Sequence, residues 1–361
     1  MGGARHDGAG RDHGDRGEPT GPGSRGDALT TAAVIGCGDV SVVHLEAIEK
    51  RPGSRLVAVC DTDPGTAGAV GARRGVPAFT DHHQLLAAHR PDVVHISTPH
   101  HQHAQVAVDC LAAGVHVVLE KPVAHTLEAA EQVVAAAARH PDRKIGVCFQ
   151  NRYNAAVQAA HALVRSGELG EVRGGSATVL WHRTPEYYAK RPWRGQRALS
   201  GGGVLINQAI HTLDLLQWLL GDVTRVRGQV GTNELDGVID VEDTAQLVLH
   251  HGPTTRSVLF ATTAHVVDSA VTVEVVAEHA TLQIRGDLTV TWADGRVETV
   301  SERRAASGGR SYWGVSHDLL VDDFHGGLTS PEPFWISPAE GLKVSRVLHA
   351  LYTGQDQDLT P

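Results

Sequence analysis

The chain has 361 residues, 41% of them hydrophobic and 20% charged, with 32 basic against 41 acidic side chains and a formal net charge of −9. That is enough chain for two domains with proper cores, in the composition of a water-soluble globular protein. The acidic balance disfavours nucleic acid or an anionic membrane as the main partner, and no apolar run is long enough to span a bilayer.

Residues 1–29 are rich in Gly, Arg and Asp and nearly free of large apolar side chains. They lack the apolar core of a secretory signal and read as a disordered N-terminal extension, which leaves the remainder for a cytoplasmic protein. From residue 32 short β-branched runs alternate with helical stretches. Strands are expected at 32–35, 56–60, 93–97, 116–120 and 144–149, with Ala-rich helices at 102–113 and 127–139 between them. Such alternation argues a doubly wound parallel sheet, an α/β Rossmann domain over residues 30–150.

The first turn is Gly36-Cys37-Gly38-Asp39-Val40-Ser41, a G-x-G-x-x-G pattern with Ser at the third glycine position. It follows a strand and opens a helix, the context the motif requires. Gly36 allows the tight turn, and Gly38 lets the backbone approach a pyrophosphate at a helix N-terminus. Asp61 ends the second strand about 20 residues further on, where a carboxylate accepts from the ribose hydroxyls and repels a 2′-phosphate. NAD is therefore expected, with NADP the alternative.

The fifth strand ends in Glu120-Lys121-Pro122. Proline keeps the residue before it out of helical geometry, so Lys121 is held extended at the sheet edge where doubly wound folds bind ligands. Further on, Asn207, His211 and Asp214 interrupt an apolar stretch at spacings of four and three, which puts them on one helix face. Trp181, Tyr187, Tyr188 and Trp193 cluster with Arg183 and Arg194. Aromatic faces cover sugar C–H groups while guanidinium forks reach hydroxyls or phosphate; an aromatic loop at a subunit interface is the other reading. From Glu171 alternating runs indicate an antiparallel-type sheet, and "SPAEGLKVSRVLHALYTG" carries a Ser-x-x-Glu capping box that marks a closing helix.

The cysteines Cys37, Cys60, Cys110 and Cys148 form no CxxC pair and are expected to be buried, reduced thiols. The histidines, His100, His101 and His103 among them, show no ligand set such as HExxH, so no metal is expected.

The fragments "VIGCGDVS", "VCDTDP", "STPHHQHAQVAVDCLAAGVHVVLEKP" and "GGGVLINQAIHTLDLLQWLLG", in that order, resemble the Gfo/Idh/MocA family of NAD(P)-dependent oxidoreductases. The resemblance implies the Rossmann domain followed, over 151–361, by an α+β substrate-binding domain with a large open, mainly antiparallel sheet. A homodimer or homotetramer built through that sheet is implied as well. Position by position, Gly36, Gly38, Asp39, Val40 and Asp61 would hold the coenzyme. Thr98 and Pro99 would border the nicotinamide ribose, Glu120 would reach ribose hydroxyls, and Lys121 would be the catalytic lysine. His103 and His116 also match family positions; both read as structural, His103 at the coenzyme margin.

In the family the later helix carries Asp-x-x-x-His. Here Asn207 takes the Asp position and His211 keeps the other, so His211 or Lys121 would move the substrate proton while Asn207 positions an oxygen. Asp214 would be an anchor or an orienter. Arg152 and Gln150, at the domain junction, fall where family members line the cleft, with Trp181, Arg183, Tyr188 and Trp193 expected around the substrate. Tyr312 and His317 are weaker candidates. The implied activity is hydride transfer between nicotinamide and a secondary alcohol or ketone of a sugar, amino sugar, nucleotide sugar or cyclitol. An NAD-recycling glycoside-cleaving enzyme and a non-catalytic NAD-binding sensor are the alternatives.

Overall fold

A computed structural model describes residues 29–303, 316–354 and 359; residues 1–28 and Tyr312 lie outside them. The strands β1 (Thr30–Ile35), β2 (Ser54–Cys60), β3 (Ala78–Phe79), β4 (Val93–Ile96), β5 (His116–Leu119) and β6 (Ile145–Val147) form one sheet in the order β3-β2-β1-β4-β5-β6. Every pairing in it is parallel. β4 and β6 are buried along their whole length, as strands covered by helices on both faces must be. The order reverses between β1 and β4, and a crevice opens there at the carboxyl ends of the strands.

Five of these strands lie where the β-branched runs put them. β3 was not legible, because two residues carry no periodicity. The expected strands at 93–97, 116–120 and 144–149 overrun the ladder at their carboxyl ends. Ser97, Glu120, Cys148 and Phe149 have left it, and the first two line the crevice.

The second sheet comprises β7 (Val172–Leu180), β8 (Arg225–Gly231), β9 (Thr244–His251), β10 (Thr255–Thr262), β11 (Thr272–Ala277), β12 (Ala280–Arg285), β13 (Asp287–Trp292) and β14 (Val297–Val300). Its order is β14-β13-β12-β11-β7-β10-β9-β8, antiparallel except where β10 runs parallel to β7. Burial alternates along β9 and β10, so one face meets the helices Ala155–Ser166 and Ile210–Leu220 while the other carries exposed Val248, Val258 and Phe260.

The end of the chain returns to the first sheet. The helix His317–Gly326 packs on the helix Ser41–Lys50, and the closing helix Pro338–Thr353 packs on Leu127–Arg139. Val147 N–H donates to Ile336 O at 2.9 Å, which adds a bond at the free edge of β6. Ser337 Oγ caps the closing helix by accepting from Glu340 N–H at 3.4 Å. All four cysteines are free and buried. Among the described residues, no helix is long and apolar enough to cross a membrane.

Candidate active site

The crevice is a cleft of about 1110 Å³ lined by both domains. Its floor is the turn after β1. Gly36 has φ +90°, and a Cβ there would stand 2.5 Å from the carbonyl carbon of Ser97, so only glycine lets the two loops pass. Ser97 Oγ fixes the turn by donating to Gly36 O at 2.8 Å. Around Gly38 a Cβ would meet nothing within 4 Å, so backbone there borders open space. Ser41 closes the turn with an Oγ–H donated to Gly38 O at 2.6 Å.

Asp61 accepts from Cys37 N–H at 2.8 Å and from Asp63 N–H at 2.9 Å, which holds its acceptor-only carboxylate at the cleft. The helix opened by Ser41 has no acidic residue in its first turn. Glycine backbone beside a helix N-terminus suits a diphosphate, and the fixed carboxylate suits a ribose diol, so the residues fit NAD. Asp39, at the same turn, faces Arg194 at 3.3 Å and Arg191 at 3.4 Å from the second domain. Val40, Thr98, Pro99 and His103 line the same cleft. His103 bridges the two loops, with Nδ1 2.7 Å from Pro122 O and Nε2 2.9 Å from Thr98 O. His116 lies elsewhere, accepting from Lys144 N–H at 2.8 Å.

Lys121 follows β5, and its bond to Pro122 is cis. Its Nζ donates to the main-chain O of Asn207 at 3.0 Å. Burial lowers its pKa and Arg194 adds to the lowering, while Glu120 opposes it. His211 is pushed down to about 3, first by burial and then by the charge of Lys121, so its ring is neutral. His211 Nδ1, Asn207 Nδ2 and Thr98 Oγ1 are buried without hydrogen-bond partners among the described residues. Unsatisfied polar atoms clustered along one cleft are donors and acceptors available to a ligand bound there.

The stripe of Asn207, His211 and Asp214 is split. Asn207 ends the helical turn Val204–Asn207, and His211 lies in the separate helix Ile210–Leu220. Both line the cleft, but Asp214 does not. It is buried in a two-pronged ion pair with Arg152, at 2.6 and 2.8 Å. Arg152 also reaches Glu340 at 3.4 Å and lines a smaller, separate cavity beside Trp218, so the structure does not bring it to the cleft.

Trp181, Arg183 and Trp193 line the cleft wall; Tyr188 is buried in a cluster with Leu235, Ile239 and Val241, and its neighbour Tyr187 faces the cleft instead. Arg183 is anchored to Asp268 at 2.9 Å and lies over the Trp181 ring. Arg194 lies over Tyr187 at 4.9 Å.

Glu120 is buried, and its Oε1 meets two imidazoles, His44 Nε2 at 3.1 Å and His317 Nε2 at 3.4 Å. Burial raises its pKa, but the bonds from His317 and His44 outweigh that and hold the carboxylate ionised. His44 and Cys148 beside it could be taken for metal ligands. Burial and the nearby carboxylate keep the Cys148 thiol protonated and bonded to Glu120, so the trio reads as a hydrogen-bond network. The sequence marks His44 only weakly. Its one signal is a polar residue on the buried face of the helix Ser41–Lys50.

A model of the "Oxidoreductase family, NAD-binding Rossmann fold" matches residues 30–148, and one of the "GFO/IDH/MocA C-terminal domain" matches 157–283. The chain is 33% identical over 201 residues to an inositol 2-dehydrogenase of Rubrobacter xylanophilus, covering 54% of each protein. It is 32% identical over 230 residues to a D-apiose dehydrogenase of Paraburkholderia graminis, covering 63% of this chain and 59% of that one. The matches thus span little more than half the length of these curated relatives. The WlbA dehydrogenase of Bordetella pertussis, solved with NADH and UDP-GlcNAcA, superposes with a TM-score of 0.77 at 27% identity over 90% of this chain and 96% of that one.

Proposed function

The chain belongs to the Gfo/Idh/MocA oxidoreductase family, with its NAD-binding Rossmann domain, and from that premise we propose that it is an NAD-dependent dehydrogenase of a sugar, amino sugar, nucleotide sugar or cyclitol secondary alcohol. The reading rests on one observation. The amine of Lys121, from the end of β5, is bonded to Asn207 O at 3.0 Å in a cleft that also holds His211 and the Gly36–Gly38 turn.

Bound NAD supplies the acceptor for the hydride that leaves the alcohol carbon. Lys121, its pKa lowered by burial, takes the hydroxyl proton as general base. The neutral ring of His211 hydrogen-bonds the same oxygen, and Asn207 Nδ2 donates without exchanging a proton. Trp181, Tyr187 and Trp193 supply apolar faces for a ring, and Arg194 a forked donor for hydroxyls or phosphate. The carboxylate of Asp61 favours NAD over NADP.

The exposed Val248, Val258 and Phe260 on neighbouring strands support a homo-oligomer closed through the open sheet. Four free thiols support a reducing compartment such as the cytoplasm.

The test is a screen of the purified chain with NAD and NADP against inositols, free sugars, nucleotide sugars and glycosides, followed at the NADH absorbance. One substrate class giving stoichiometric NADH is expected. Glycoside cleavage without net NADH would replace this reading with the coenzyme-recycling one, and no reaction with any class would refute it.

A further inference from the structure

Alcohol oxidation by hydride transfer leaves one proton behind in the cleft, and a continuous file of imidazoles starts there. His317 lines the cleft, its Nδ1 is without a partner among the described residues, and its Nε2 lies 3.4 Å from Glu120 Oε1. The same carboxylate oxygen meets His44 Nε2 at 3.1 Å. His44 Nδ1 lies 3.0 Å from His95 Nδ1, and His95 Nε2 lies 3.0 Å from His325 Nε2. His325 Nδ1 meets Ser54 Oγ at 3.1 Å. Ser54 is only half-buried, at the start of β2, next to the exposed Gly53 and Arg55. The file therefore runs under the helix Ser41–Lys50 from the cleft to the opposite end of the sheet.

From this geometry we infer that His317, Glu120, His44, His95, His325 and Ser54 form a proton relay between the substrate cleft and solvent. The inference rests on the dehydrogenase reading, which requires a proton to leave in oxidation and to arrive in reduction.

The chemistry of the links supports transport over mere packing. His44 and His95 are 0% exposed and His325 is 4% exposed, yet both nitrogens of each ring are engaged. A neutral imidazole has one N–H and one lone pair, so the file is satisfied in two ways. Either every ring donates toward an ionised Glu120, or every ring donates toward Ser54 and Glu120 carries a proton.

A proton left in the cleft enters at His317 Nδ1 as the His317 Nε2 proton passes to Glu120 Oε1. With the rings donating toward Ser54, passing from the second arrangement to the first then balances as follows. The Glu120 proton moves to His44 Nε2, and the His44 Nδ1 proton moves to His95 Nδ1. The His95 Nε2 proton moves to His325 Nε2, the His325 Nδ1 proton to Ser54 Oγ, and the Ser54 hydroxyl proton to water. Three N–H bonds break and three form on the rings, and one proton leaves the carboxyl for solvent. Run backwards, the same file supplies the proton for carbonyl reduction. The charged or titratable groups facing it are His317, Lys121 and Cys148 at the inner end and Arg51 and His116 at the outer.

The test uses the full chain with NAD and has two readouts. In protein carrying ¹⁵N-histidine, nitrogen–nitrogen couplings across His44–His95 and His95–His325 are expected, and their absence overturns the relay. In stopped flow, NADH formation and release of protons to an indicator dye are followed together. Wild type should release the proton in step with NADH. His95→Gln, which keeps a polar side chain but no ring to pass a proton, should form NADH at a rate within about twofold while proton release lags about tenfold or more. His325→Gln, closer to the surface, is the second variant should His95→Gln not fold. Release in step with NADH in a folded variant overturns the relay. If no substrate yields NADH even with wild type, the dehydrogenase reading fails, and the couplings alone decide whether the file is joined.

Discussion

Lys121 Nζ lies 3.0 Å from the main-chain oxygen of Asn207, so an amine from the Rossmann sheet is tied to the helical turn that leads to His211 in the second domain. The carbonyl accepts without competing for charge, which leaves the amine able to lose and regain a proton. Burial then shifts that equilibrium toward the free amine. The oxidative rate should accordingly rise with pH to a plateau reached below the range of a free lysine, and the reductive rate should fall over the same interval. A pH profile of kcat/KM in both directions checks the sign.

The two glycines of the first turn should fail differently. Gly36→Ala forces a Cβ to 2.5 Å from Ser97 backbone at a positive φ, and should cost about 1–3 kcal/mol from the backbone alone. Gly38→Ala meets nothing within 4 Å. Its Tm should hardly move, while its Kd for NAD rises because the methyl occupies room meant for the diphosphate. Calorimetry with and without NAD separates the two effects.

Asp61→Ala should weaken NAD about tenfold and narrow the preference over NADP, since the repulsion of a 2′-phosphate disappears with the carboxylate. The free protein should also lose some stability, because the amides of Cys37 and Asp63 lose their acceptor. Titration with each coenzyme measures the first effect and thermal melting the second.

Arg152 and Asp214 should behave as a structural pair. Both are nearly inaccessible, so Asp214→Ala leaves a buried guanidinium with Glu340 as its one ion-pair partner among the described residues, at a cost of about 3–5 kcal/mol. Arg152→Met combined with Asp214→Leu should recover most of that loss in a denaturant melt. Substrate KM should change little in the double variant, in contrast to variants of Trp181 or Arg194.

Acid should destabilise the fold through its buried rings. Burial lowers His95 well below 6.5, lowers His325 to about 4 and lowers His211 to about 3. Between pH 6.5 and those values the unfolded chain binds protons that the folded chain refuses. Stability must therefore fall as pH falls, by up to about 1.4 kcal/mol per pH unit for each fully distinguished ring. The Tm should decline below about pH 6.5, and His95→Gln should flatten the decline.

Much of this site was legible because its signals are local. The Gly36–Ser41 turn, the carboxylate of Asp61 and the Lys121-Pro122 step are each set by neighbours in sequence. What depended on distant partners was not. The Asn207–Asp214 spacing assumed one continuous helix, but the backbone breaks at Gln208 and Ala209, and Arg152 draws Asp214 away from the cleft. Tyr187 and Tyr188 are adjacent on a five-residue helix, and composition could not say which one turns inward. His44, His95 and His325 are separated by 51 and 230 residues, and only the return of the last helices over the first domain lines them up.

General-base catalysis by Lys121 beside bound NAD is open to direct measurement. It is tested most directly by stopped-flow NADH formation from the active substrate in wild type and Lys121→Met, with NAD affinity measured alongside. A loss of about 10²–10⁴ in the hydride-transfer rate is expected at nearly unchanged NAD affinity. A Lys121→Met protein that binds NAD and reduces it at close to the wild-type rate would contradict it.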